Sequence, residues 1–288
     1  TNIIDKSAST NGNLCVPNTD SAPTACVDTG DTARLIDVQI ASSFSTAAVG
    51  GLATGYGAAN MIEIALLGGA RYFHFEVSTA QENSRIIPVV KFDKNYVPLS
   101  QCFQILQNAM LFKQVHPFVY QNFKKDPILI QLDLNVQSQA LIMDKIAVEL
   151  SELFGGQLLG PDYNYKYNEI VSEYPICTFY DKIIIIVKGN ETQGTRLDDL
   201  INIRLDGIHI NNVRDYDWSE LEAMEGKTLM DINTDTFCIV RGNKYNQDPS
   251  KLLSRGCHIV PMNYSPIDSY LVKYLEIFKT SSFILKQD

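Results

Sequence analysis

The chain has 288 residues, with 24 Lys and Arg against 33 Asp and Glu, a formal net charge of −9. Hydrophobic residues at 45% and charged residues at 20% are a globular composition and exclude wholesale disorder. The acidic balance gives nucleic acid or an anionic membrane no bulk electrostatic attraction, and no run approaches the ~20 apolar residues of a membrane span.

Residues 1 to 32 are rich in Ser, Thr, Asn, Asp and Pro without apolar periodicity, and read as a polar N-terminal arm or tether. From Leu35 the pattern becomes short apolar strands alternating with helical stretches. Leu35–Ala41 reads as a strand, Ala47–Ala59 as a Gly/Ala-rich loop and Asn60–Gly68 as a helix. Arg71–Val77 is a strand that alternates Tyr72, His74 and Glu76 against Phe73, Phe75 and Val77; Ile86–Phe92 is another, and Leu99–Phe118 is an amphipathic helix.

The same logic repeats downstream. Pro127–Leu134 is a strand opened by proline, Ser138–Phe154 a helix closed by two glycines, and Lys182–Val187 a β-branched strand buried on both faces. Arg204–Ile210 and Phe237–Arg241 are strands around a helix over Ser219–Met224. His258–Met262 is a strand, Pro266–Phe278 a helix and Phe283–Lys286 a last strand. This alternation predicts an α/β fold, and its seven or eight strands favour a (β/α)8 TIM-type barrel, distorted or incompletely closed, following the extended arm.

No Walker-type phosphate loop, H-E-x-x-H zinc motif or G-x-S-x-G elbow occurs. Gly55–Asn60 is a poor match to a dinucleotide loop, because its third glycine is replaced by Asn60. Of six cysteines, Cys102, Cys177, Cys238 and Cys257 lie in apolar segments and read as small buried hydrophobes. Cys15 and Cys26 lie in the arm, either as free thiols or as a pair under oxidising conditions. Asn190 and Asn263 each open an N-x-[ST] sequon. His74 and Glu76 share one strand face, and Asp133 holds a comparable position near the end of the Pro127–Leu134 strand. In a parallel barrel all three would point into the mouth, where their donors could hold a divalent metal or act as solvated strand-end polar groups.

These segments, in this order, resemble the X and Y catalytic regions of phosphoinositide-specific phospholipase C. The family's Ser-His-Asn-Thr strand end is matched by Ala41–Thr46 (ASSFST), and its Gly-Cys-Arg-Cys-x-Glu-x-Asp strand by Gly69–Glu76 (GARYFHFE). Its Pro-x-x-x-His strand is matched by Pro88–Phe92, and Pro-Val-Ile-Leu-Ser-Leu-Glu-Asn by Pro127–Asn135 (PILIQLDLN). Lys182–Asn190 (KIIIIVKGN) and Pro249–Asn263 (PSKLLSRGCHIVPMN) continue the series. The resemblance spans residues 35–288, an X-like half over 35–190 and a Y-like half over 196–288.

The resemblance implies a phosphodiesterase built on two histidines, but Phe44 stands at the first histidine position and Phe92 at the second. Phenylalanine neither shuttles a proton nor donates to a phosphoryl oxygen. The Ca²⁺ ligand set would fall to Glu76, Asp133 and His74, with Ser45 in place of an asparagine. Lys188 retains the first phosphate-gripping lysine, Asn190 has lost the second, Asp206 replaces a serine, and Arg241 lies two residues beyond Ile239 at the substrate-arginine position. His116, His209 and His258 are expected to be structural or exposed.

The expectation is a catalytically inactive phospholipase C-like protein without a required cofactor, Ca²⁺ being its one candidate. It would serve as a structural or interaction module in an assembly, docking through residues 1–32, intracellular or in a virion rather than secreted. Its Ile-, Asn-, Tyr- and Asp-rich usage suits an AT-rich genome and a capsid-associated role. The alternative is a phosphodiesterase of altered chemistry, or a Ca²⁺-dependent phosphoinositide-headgroup binder using Glu76, Asp133 and Lys188.

Overall fold

The computed structural model describes residues 33–115, 126–136, 140–167, 170–189, 192–205, 212–223 and 236–286. The expectations for the arm, Cys15, Cys26, His116, Asn190, Asp206 and His209 lie outside the described residues.

Strands β1 (Val38–Ile40) and β2 (Ser42–Ser43) lead through a small antiparallel pair, β3 (Ala48–Val49) and β4 (Tyr56–Gly57), to helix α1 (Met61–Leu67). Strand β5 (Tyr72–Glu82) runs on into an antiparallel hairpin with β6 (Arg85–Lys91), which pairs in turn with β7 (Tyr96–Pro98). Helix α2 (Leu99–Val115) precedes β8 (Ile128–Leu134), and α3 (Ala140–Phe154) precedes β9 (Ile183–Lys188). Then come β10 (Ile203–Arg204), β11 (Val213–Tyr216), α4 (Trp218–Ala223) and β12 (Phe237–Val240). The helices Ser250–Leu253 and Ser269–Ile277 and the strand β13 (Phe283–Leu285) complete the order.

The parallel ladders run β2–β5–β8–β9–β10 on one side and β11–β12 on the other. Parallel bridges from Ile259 to both Ile239 and Ile40, and from Met262 to Ser43, join the two through the segment at 259–262. Among the described residues no ladder joins β10 to β11, so the expected barrel is traced as an open ring and not as a closed one. β13 pairs antiparallel with β1.

Side-chain parity sorts the residues of this ring. Successive strand residues point to opposite faces, so Tyr72, Leu129, Ile184, Ile186, Ile203, Val213, Phe237, Ile239 and Ile259 form one buried cluster inside the ring. Phe73, Phe75, Ile128, Ile130, Leu132, Ile183, Ile185 and Val187 join a second cluster with α1, α2 and α3 outside it. Each such side chain contributes about 1.5–3 kcal/mol through removal from water, and burial on both faces explains the near-continuous apolar run of β9.

Several expected features are corrected here. Leu35–Asp37 is a 3-10 turn ahead of β1, and β11 is a strand the apolar pattern did not announce. Cys177 is disulfide-bonded, so it is no inert apolar filler, whereas Cys102, Cys238 and Cys257 are free buried thiols. Asn263 is buried and donates to the Asn243 carbonyl, which removes its sequon from reach of a glycosylating enzyme.

His258 is buried, its Nδ1 accepting the Cys238 N–H at 2.9 Å and its Nε2 facing the Ile36 carbonyl at 2.7 Å. Burial, with the Lys286 charge beside it, pushes its pKa down to about 3. The unfolded chain takes up this proton below about 6.5. The neutral ring therefore gives its full stability above that pH and loses it as the pH falls toward 3, by up to about 1.4 kcal/mol per pH unit. Urea midpoints at pH 7 and pH 5 are expected to differ less in His258→Gln than in the parent. An equal drop in both would contradict this assignment.

Candidate functional site

The polar residues gather at the carboxyl ends of the parallel strands, where such folds place their chemistry. Register builds the first row. Glu76 on β5 lies opposite Asp133 on β8, and Asp133 lies opposite Lys188 on β9, so the three stand side by side on one face. The bridges through the segment at 259–262 bring Asp215 of β11 and Arg241, just beyond β12, to the same mouth. The resulting cleft of about 160 Å³ is lined by Glu76, His74 and Asp133 on one side, by Asp215 and Arg241 on the other, and by Phe44 at the rim.

One chain of hydrogen bonds crosses the floor. The Tyr72 hydroxyl donates to Gln131 Oε1 at 2.5 Å, Gln131 Nε2 donates to Asp133 Oδ1 at 2.7 Å, and His74 Nε2 meets Asp133 Oδ2 at 3.1 Å. The other imidazole nitrogen, Nδ1, accepts the Ser45 backbone N–H at 3.3 Å. Ser45 adopts a left-handed backbone (φ 42°) as it makes this bond, a conformation that costs a non-glycine residue about 1–3 kcal/mol. Nδ1 thus acts as an acceptor and Nε2 faces Asp133, so both ring nitrogens are engaged within the protein. Burial raises the Asp133 carboxyl, but hydrogen bonds from His74 and Gln131 and the Lys188 charge outweigh it and hold it below the usual carboxylate range. Burial, with the Asp133 and Asp215 carboxylates nearby, drives the Tyr72 phenol well above its ordinary value.

The second feature is a charge cluster. Asp215 Oδ2 accepts Lys188 Nζ at 2.7 Å and Arg241 Nε at 2.7 Å, while Arg241 Nη1 reaches Asp217 Oδ1 at 3.0 Å. Burial opposes ionisation of Asp215, yet the hydrogen bonds and charges of Arg241 and Lys188 keep its pKa low. The two cations expected to grip a phosphate are thus held by an internal carboxylate.

The two phenylalanines take different places. Phe44 stacks on His74, ring centroids 4.8 Å apart at 28°, and a β-carbon at Gly242 would run into its other side. Phe92 packs instead against Gly57, where a β-carbon would likewise collide, and joins the outer cluster. It does not line the cleft.

The donor set does not fit a Ca²⁺ ion, which takes six to eight oxygens. Both His74 nitrogens and both Asp133 oxygens are engaged within the protein, which leaves Glu76 as the exposed carboxylate beside them. No group of three or more His, Cys, Asp or Glu arranged to hold a metal occurs among the described residues.

Sequence reasoning missed Tyr72, Gln131, Asp215 and Asp217. Tyr72 and Gln131 share strand parity with His74 and Asp133, so parity alone could have found them. Replacing Asp215 by Asn leaves Lys188 without its carboxylate partner and Arg241 with Asp217 alone. Asp215→Asn is expected to be about 1–3 kcal/mol less stable, and inorganic phosphate should raise its melting temperature while leaving the parent unchanged. Equal stabilisation of both by phosphate would show that the cations are already free.

No family model matches the sequence, and no curated protein matches it either. Among solved structures, PLC21 from L. pealei superposes with a TM-score of 0.69 at 14% identity, covering 89% of this chain and 37% of that one. PLC21 from S. officinalis gives 0.70 at 14% identity with the same coverages. This chain therefore spans little more than a third of either protein. A Ca²⁺-dependent phosphatidylinositol-specific phospholipase C from Streptomyces antibioticus gives 0.54 at 10% identity, covering 83% of this chain and 97% of that one. The fold of this chain is the fold of phosphoinositide-specific phospholipase C catalytic domains.

Proposed function

We propose that the chain is a catalytically inactive phospholipase C-like domain, on an open (β/α)8-type barrel, that acts through binding rather than turnover. The observation that carries this reading is the state of His74, the imidazole at the mouth. One of its nitrogens accepts a backbone N–H and the other donates to Asp133, so neither is free to take a proton from a substrate hydroxyl. Phe44 caps that ring where the resemblance calls for the first histidine, and Phe92 occupies the second histidine position among apolar neighbours. Stabilisation of a developing phosphoryl charge needs donors aimed into the site, and Lys188 and Arg241 each direct one at Asp215, Arg241 a further one at Asp217.

Such a domain would serve an assembly as an interaction module, the arm over 1–32 being its proposed tether. Among the described residues no helix is long and apolar enough to cross a membrane.

Release of soluble inositol phosphates from phosphatidylinositol vesicles tests this reading. No turnover above background is expected at high protein concentration, with or without Ca²⁺. Ca²⁺-dependent turnover that is lost in Glu76→Ala would contradict it and assign the Glu76 carboxylate a catalytic role.

A further inference from the structure

A second cleft, of about 200 Å³, opens beside the first and shares with it the wall made by Arg241 and Gly242. Asp217, Trp218 and Ser219, at the start of α4, form one side, and Asn243 and Gln247 form the other. Nothing in the phosphoinositide reading uses this space.

Both walls are held in place. Asp217 is fixed by Arg241 through its side chain and by Glu220 through its backbone N–H. Opposite, Asn246 Nδ2 donates to the Asn263 carbonyl and to Asp268 at 3.0 Å each, while Asn263 donates back to Asn246 Oδ1 at 2.8 Å and to the Asn243 carbonyl at 2.8 Å. This clamp fixes the backbone that carries Asn243 and Gln247. The side chains of Ser219, Asn243 and Gln247 have no hydrogen-bond partner within the described protein. A rigid cleft edged by unspent polar groups is pre-organised for a ligand, which lowers the ordering cost of binding.

The chemistry narrows the occupant. Asp217 and Arg241 cancel each other in charge, and the other lining groups are uncharged, so an anion gains no net attraction and would meet the Asp217 carboxylate. An apolar ligand would cover the two amides without satisfying them, at about 1–3 kcal/mol for each stranded group. Each amide offers a carbonyl oxygen beside two N–H donors, and the serine hydroxyl both donates and accepts, which matches adjacent hydroxyl groups. Trp218 is only 8% exposed and contributes an apolar wall. The volume lies below the roughly 300–1,000 Å³ of drug-sized pockets, which limits the ligand to a single ring.

We propose that this second cleft binds a neutral polyhydroxylated ring of monosaccharide size. The proposal stands apart from the reading of the first cleft and survives whether or not that cleft turns over a phosphodiester.

Trp218 is the one tryptophan in the chain, so intrinsic tryptophan fluorescence reports on this cleft alone. The full chain is titrated with glucose, galactose and mannose, each to about 100 mM, a range that covers weak millimolar binding. At least one sugar is expected to give a saturable change whose midpoint rises about fivefold or more in Asn243→Ala and in Gln247→Ala. Circular dichroism melts establish that both variants fold. No saturable change with any of the three sugars, or a midpoint unmoved in both folded variants, overturns the proposal. Saturation of the same signal by inorganic phosphate in place of the sugars overturns it as well, because the cleft would then select an anion.

Discussion

One carboxylate oxygen, Asp215 Oδ2, organises the mouth of this fold by holding Lys188 and Arg241 at 2.7 Å each. The cations come from β9 and from the end of β12, on opposite sides of the place where β10 and β11 share no ladder. The cluster therefore ties across the open part of the ring with ion pairs in place of backbone bonds. It also offsets part of the positive charge of Lys188 and Arg241. Lys188 and Arg241 are one-third to one-half exposed, so water screens part of their charge, but both donors sit at short distance from Asp215 Oδ2.

A second constraint shapes the other half of the mouth. Parallel register sets Glu76, Asp133 and Lys188 in one row, and beneath it Tyr72, Gln131, Asp133 and His74 bond to one another in a continuous chain. A buried polar network that is satisfied in this way is rigid, and a partly satisfied one would be costly. Phe44 completes the arrangement by covering His74 and resting where Gly242 leaves room for its ring. Chemistry at such a mouth would first have to break the bonds that hold it together.

Much of this was legible in the sequence. The strand at 71–77 announced itself by alternation, the strand at 127–134 by its proline start and apolar run, and the β9 strand by four consecutive isoleucines. Those signals sufficed to place His74, Glu76 and Asp133 at strand ends, while Lys188 and Arg241 came from the resemblance to phospholipase C. The strand Val213–Tyr216 escaped because it is four residues long and carries Arg214 and Asp215 in its middle, a polar pattern that reads as loop. Asp215 escaped with it, and so did the fact that the two cations are compensated. Partnership across the ring depends on the curvature and register of the whole sheet, which no local periodicity encodes. The same holds for Cys177, whose apolar neighbours gave no sign of a disulfide, and for Phe92, whose place on Gly57 follows from the β3–β4 loop rather than from its own strand.

The claim on which this account turns is that Asp215 is spent on Lys188 and Arg241. Carbon-detected NMR titration of the Asp215 side-chain carboxyl measures this directly. The account predicts a pKa below the unperturbed value of about 3.9, with the carboxylate still ionised when exposed Asp side chains have taken up their protons. A value at or above the ordinary one would mean that the two cations are not held by Asp215 and remain free to bind an anionic ligand.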